Sequence, residues 1–367
     1  MSRRQQWAWC FAAGSVPAVM VCAGRAWTWV LAGCAAAAVF YFILWLLRRQ
    51  NGLALTEVYP MAFGAPFGRA LLALTAVWQL LALANTVTGA AAAFPEGGAD
   101  RLAPFALSAL AAWAAFRGTK IPARCAAVAA PVLAGLYLVL LLAALPDVTI
   151  EWCRSWGGAE AIFETVGAML LPTAALFLAR RNEARSSAPM AVLAIMLLAP
   201  AAMAVVTAGC LSPEVVREER LAFYTLTKTI SILPVMERFE PVLSAALFLG
   251  MFCMAALLAD SCAQTASRAA GKRKKKWEVW AVCAAALALS KPVRAMPEAV
   301  WSAGAVAFWG LAPILAQVVV GIKKVKKKAK KGLTNAGDFG NIAERSREGS
   351  RSDVRLEQNR RKDEKSS

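Results

Sequence analysis

Long runs without a charged side chain, repeated along most of the chain, constrain this sequence more than any other feature. Several reach the roughly 17–25 residues that cross a hydrocarbon layer, and the charges between them are gathered into short clusters. Only 17% of the residues are Asp, Glu, Lys or Arg, 59% are apolar, and the mean hydropathy is +0.52. A soluble core cannot hide that much apolar surface, so much of it must meet lipid.

Apolar length and the Gly, Pro and charge breaks predict ten transmembrane helices. They lie near residues 7–24, 27–47, 69–93, 102–116, 124–145, 161–179, 188–211, 241–263, 277–290 and 299–321. The fourth and ninth are short for a bilayer. Lys and Arg crowd alternate loops: Arg48 and Arg49, then Arg117, Lys120 and Arg124, then Arg180, Arg181 and Arg185, then Arg268 and the run Lys272–Lys276. With the N-terminus in the cytoplasm, about 32 of the 41 basic residues lie inside and about 9 outside, and adding or removing one span destroys the alternation. Both termini are therefore expected in the cytoplasm. Residues 51–68 read as an interfacial elbow, and residues 212–240 as a piece lying on the outer face or dipping in from it. The expected division is a transmembrane domain, 1–322, and a basic, disordered cytoplasmic tail, 323–367.

The formal net charge of +18 sits in loops and tail, where positive-inside topology and anionic lipid headgroups account for it without nucleic acid. The chain has no His, so histidine metal sites and Ser-His or Cys-His catalysis are excluded. Its nine cysteines stand singly, with no CxxC spacing, and read as small buried hydrophobes. No catalytic constellation, metal or cofactor is expected. Ser2-Arg3-Arg4 before an apolar run resembles a secretory signal, but a second span follows at once, so residues 7–24 are read as the first helix.

A solute site inside a membrane needs exposed backbone polar groups, which a regular helix withholds and a broken one supplies. Span one carries Gly14-Ser15-Val16-Pro17 near its centre, and span six carries Gly167 through Leu171-Pro172-Thr173. Pro interrupts the hydrogen-bond ladder, Gly tolerates unwinding, and Ser or Thr can rebond a freed carbonyl. The two breaks are five helices apart, as in an inverted repeat around a central site, although kinks made only for packing have the same composition. Asp260, in span eight, is the intramembrane charge that stands out. Either it is buried and meets a partner or wet cavity, as an ion-coupling carboxylate does, or the span ends there and it reaches the headgroups.

Several segments together resemble the spore germination permease family, the B subunits of nutrient germinant receptors, within the amino acid-polyamine-organocation transporter superfamily. The resemblance extends over about residues 4–290. Its most characteristic piece runs from Tyr224 to Glu240, where Ile230 and Ser231 precede Glu237 and Arg238. Leu55-Thr56-Glu57 to Gly68 is similar to the family's elbow before span three, and Arg117-Gly118 through Pro131 to the opening of its span five. In span six the chain has Leu171-Pro172-Thr173-Ala174-Ala175, where family members often carry Phe, Gly and an acidic residue.

The resemblance implies an all-α, LeuT-like fold of ten transmembrane helices, a five-plus-five inverted repeat with helices one and six broken. It implies a small nutrient, usually an amino acid, bound near Gly14, Ser15, Pro17, Gly167, Pro172 and Thr173. It also implies the A and C subunits of a germinant receptor as partners, in the inner membrane of a spore. The expected function is that of a permease-like subunit that senses the nutrient and triggers germination. The alternatives are a secondary transporter of amino acids or polyamines, favoured if Asp260 is buried, and a structural subunit without ligand.

Overall fold

The computed structural model describes residues 5, 8–15, 26–49, 53–92, 102–154, 162, 166–167, 170–178, 202–212, 215, 222–229 and 240–324. Two compact units divide the chain, residues 1–317 and 318–367, and in the second the described residues 318–324 are helical. All regular structure among the described residues is helical. In order, these elements are α1 (residues 8–15), α2 (Ala26–Arg49), α3 (Leu55–Phe63), α4 (Ala65–Ala92), α5 (Ala103–Phe116) and α6 (Lys120–Ala144). They continue with α7 (Ala174–Leu178), α8 (residues 202–210), α9 (Ala222–Thr229), α10 (Glu240–Ala269) and α11 (Glu278–Arg294). The last, α12, comprises Glu298–Ala305, a π-helical turn Val306–Leu311, and α-helix again from residue 312.

Among the described residues five helical segments are long and apolar enough to cross a membrane: Val30–Leu47, Ala65–Ala91, Lys120–Asp147, Pro241–Ala269 and Ala299–Lys324. They coincide with expected spans two, three, five, eight and ten. Helices α5 and α11 occupy the fourth and ninth positions and are short, as expected. Expected spans one, six and seven fall largely outside the described residues, as do Pro17, Ile230, Ser231, Glu237, Arg238 and the tail beyond Lys324.

Helix α10 is the axis on which α4, α5, α6, α7, α9 and α11 pack. Every residue from Cys253 to Ala263 is buried, so over this central stretch the helix is enclosed all round and needs no polar face. Ala255, Ala256, Ala259 and Ala263 keep its surface small, which lets neighbouring backbones approach where lipid supplies no hydrophobic drive. Polar bonds cross these interfaces, where Trp9 Nε1 donates to the Cys253 carbonyl at 2.8 Å and Cys262 Sγ to the Ala76 carbonyl at 3.3 Å, and the neighbouring one between α5 and α11, where Ser108 Oγ donates to the Cys283 carbonyl at 3.2 Å. Each such bond contributes about 0.6 kcal/mol in a membrane interior, so close packing carries more of the bundle's stability than any one of them. Outward faces carry Phe42, Trp45, Val128, Val132, Leu138 and Leu142, side chains suited to lipid.

The segment expected as an elbow folds as α3, with Leu55, Thr56, Val58, Tyr59 and Ala62 buried on one face. Gly64, at φ +87°, then turns the chain into α4, which begins before the expected span. A Cβ on Gly68 would lie 2.6 Å from Pro60 Cα and from the Tyr59 carbonyl oxygen, both backbone atoms that cannot swing aside. Gly68→Ala should therefore lower stability by about 1–3 kcal/mol, read as a lower melting temperature in detergent. Gly135→Ala, where nothing lies within 4 Å, should leave it unchanged.

Candidate functional site

The break expected in span six is present in the backbone. Leu171–Thr173 form a 3₁₀ turn leading into the short helix α7, and the Thr173 N–H donates to Leu170 at 2.9 Å instead of continuing an α-helical ladder. Gly167 lies against α12, where a Cβ would come within 3.1 Å of Ser302 Cα and 3.3 Å of Ala305 Cβ. Glycine lets the broken segment approach that closely. From the other side, Gly310 of the π-helical turn leaves room for Leu170 Cδ1 at 3.4 Å and Val39 Cγ1 at 3.7 Å. The interruption of one helix thus packs on the interruption of another, and π-turns recur where helices serve function.

Beside them stands an aromatic cluster. Trp78 of α4 lies over Gly304, and its ring is 5.3 Å from Trp301, 5.7 Å from Phe308 in a stacked pair, and 5.9 Å from Trp309 in a T-shaped one. Such pairs contribute roughly 0.5–1.5 kcal/mol each beyond the area they bury. The indole N–H groups of Trp78 and Trp309 are buried and have no hydrogen-bond partner among the described residues. The same holds for both amide atoms of Gln79 and for the Ser15 and Thr173 hydroxyls. A buried polar group without a partner costs about 1–3 kcal/mol, and several in one interior are what a solute with complementary atoms would relieve.

Of the residues singled out in the sequence, Gly167 and Thr173 belong to this junction with α12, and Pro172 sits inside the 3₁₀ turn. Gly14 and Ser15 are the last described residues of α1, which is tied to α10 through Trp9, and Phe11, Ala12 and Ala13 share one apolar core with Leu170 and Leu171. Asp260 is resolved in favour of burial. α10 continues nine residues past it to Ala269, and the carboxylate is 0% exposed in an ion pair with Lys274. Lys274 belongs to the connection between α10 and α11. Burial pushes its ammonium down to about 8, with Glu278 acting in the opposite direction. Trp78, Gln79, Trp309 and Lys274 are absent from the sequence-derived set. Trp-Gln at the middle of an uncharged span was the available signal for the first two, since polar groups at membrane depth need a reason.

These features define a multi-pass helical membrane protein with a broken-helix junction in its interior. No protein-family profile matches the chain, and no curated protein matches it. Among solved structures it is similar to Mhp1, a nucleobase-cation-symport-1 family transporter, in a closed conformation with bromovinylhydantoin bound. The two are 16% identical with a TM-score of 0.63, over 87% of this chain and 77% of that one. The likeness is one of fold. The resemblance to spore germination permeases finds no support in these comparisons.

If the Thr173 hydroxyl is reserved for a solute, Thr173→Val should leave the solute-free melting temperature unchanged or raise it, because an unsatisfied buried donor is replaced by a methyl group of the same shape. A fall equivalent to about 1–3 kcal/mol would mean that the donor already has a structural partner.

Proposed function

We propose that the chain is a secondary transporter of a small organic solute, bound where the span-six break, the π-turn of α12 and Trp78 meet. The observation that carries this reading is the transporter fold shared over 87% of the chain. The buried polar atoms without partners support it, because a purely structural bundle has no use for them. Spans one and six, broken at Gly14–Pro17 and Gly167–Thr173, belong to a ten-helix inverted repeat in this proposal, with both termini cytoplasmic. Arg49 stacked on Trp45, Arg117 on Trp113, and exposed Trp277 and Trp280 beside the Lys272–Lys276 run support that orientation.

The chemistry favours a flat, uncharged solute. Indole N–H groups donate only, ring faces stack, and among the described residues the one buried carboxylate, Asp260, is already paired with Lys274. An amino acid or polyamine would need compensation for its charges. The hydantoin described with the structural neighbour makes N-heterocycles the first solutes to test.

The second reading is the germinant-receptor subunit, which senses a small nutrient, usually an amino acid, and biases A and C partner subunits in a spore membrane. The segment from Tyr224 to Glu240 and the elbow from Leu55 to Gly68 favour it.

Uptake by the full-length protein in liposomes, measured with labelled uracil, alanine and spermidine, separates the possibilities. The transporter reading expects accumulation of the flat ring, reduced at least about tenfold by Trp78→Ala. Binding without uptake, together with co-purification of two partner subunits, would favour sensing. Neither binding nor uptake of any solute would leave a structural subunit.

A further inference from the structure

The α10–α11 connection is built to hold one side chain inward. Lys272, Arg273, Lys275 and Lys276 are exposed, whereas Lys274 turns in, with its side chain 22% exposed, to meet Asp260. Both ends of the connection are anchored. The Lys272 N–H donates to the Ser267 carbonyl at 2.9 Å and the Gly271 N–H to Arg268 at 3.0 Å, with Gly271 at φ +69° making the turn. Glu278 Oε2 accepts from the Lys275 N–H at 3.1 Å and from Ser267 Oγ at 2.5 Å.

Asp260 lies nine residues from the end of α10, about 14 Å along the helix. Apart from the ion pair, neither of its oxygens accepts a hydrogen bond from a described residue. A carboxylate built only for stability at that depth would be surrounded by donors, because attraction to one ammonium rarely offsets the loss of its hydration. Among the described residues nothing donates to its remaining lone pairs, and the one cation that meets it is carried on a connecting segment.

Resting on the transporter reading, we propose that Asp260 is the coupling-cation site, held in this conformation by the chain's own Lys274. A small monovalent cation, a proton or a sodium ion, displaces the ammonium and releases the connection of residues 270–277. Lys274 then joins its four exposed basic neighbours in water, and the cation balances Asp260 in its place. Loss of the cation restores the pair. Of the helices packed on α10, α4 carries Arg69, α6 Lys120 and Arg124, α9 Lys228, and α11 Glu278, Lys291 and Arg294, while α5 and α7 carry no charge. Arg69 has its guanidinium on the Gly271 turn, and Glu278 holds the connection's base, so among these helices no second carboxylate competes for the cation at Asp260's depth.

The test reads Lys274 directly. Full-length protein in lipid nanodiscs is treated with a water-soluble acylating reagent, and acylation of Lys274 is measured by mass spectrometry relative to Lys272, Lys275 and Lys276 in the same molecule. The ratio is followed in choline chloride, in sodium chloride, and in choline at acidic pH. The expected result is a low ratio in choline near neutral pH and a rise of about tenfold with one cation. A rise in sodium identifies sodium as that cation, and a rise in acid identifies the proton. Asp260→Asn should give the high ratio in every condition. An unchanged ratio in wild type across all three conditions overturns the proposal, and this arm needs no variant to fold. Cation-dependent labelling without solute uptake would contradict the transporter reading and leave the cation site standing; uptake without it would do the reverse.

Discussion

The enclosure of α10 is the constraint on which the rest depends. A helix buried on every side in a membrane protein has no water to turn to, so each polar group on it must be matched from within. Its small side chains let α4, α5, α6 and α11 close around it, and its carbonyls receive Trp9 from α1. The one charge it carries at depth is matched by Lys274, brought in by the connection that follows it. Topology and charge are thus coupled: the same segment that reverses the chain between two helices also neutralises the interior carboxylate.

Against that background of matched groups, the unmatched ones carry information. Trp78 and Trp309 are buried where α4 meets the π-turn of α12, and the glycines at 167, 304 and 310 bring broken backbone and indole rings into contact there. Close packing and unsatisfied donors seldom coexist in one place without a purpose, since the interior could have been sealed with aliphatic side chains.

Much of the fold was legible in the sequence because apolar length and charge clustering are direct consequences of the bilayer. Spans two, three, five, eight and ten emerged close to their expected limits, and the two short helices emerged short. The span-six break was legible from Pro172, whose missing N–H forbids a regular ladder. What was not legible was partnership. Nothing in the spacing of Asp260 and Lys274 says whether the helix ends between them or the chain folds back, since both outcomes place the lysine a few residues from the membrane. Trp78 and Trp309 are 231 positions apart in number, and only the packing of α4 on α12 joins them. The germination-permease segment from Ile230 to Arg238 lies outside the described residues, so its role stays with the sequence resemblance.

The central claim is that the interior junction at Trp78, the span-six break and the π-turn holds a solute. A density map of the protein in nanodiscs, saturated with whichever solute it takes up most strongly, tests it most directly. The expected result is a flat density against the Trp78 and Trp309 rings, with an acceptor atom within hydrogen-bond reach of an indole N–H. Rings closed on one another in the saturated sample, with the solute density elsewhere or absent, would contradict it.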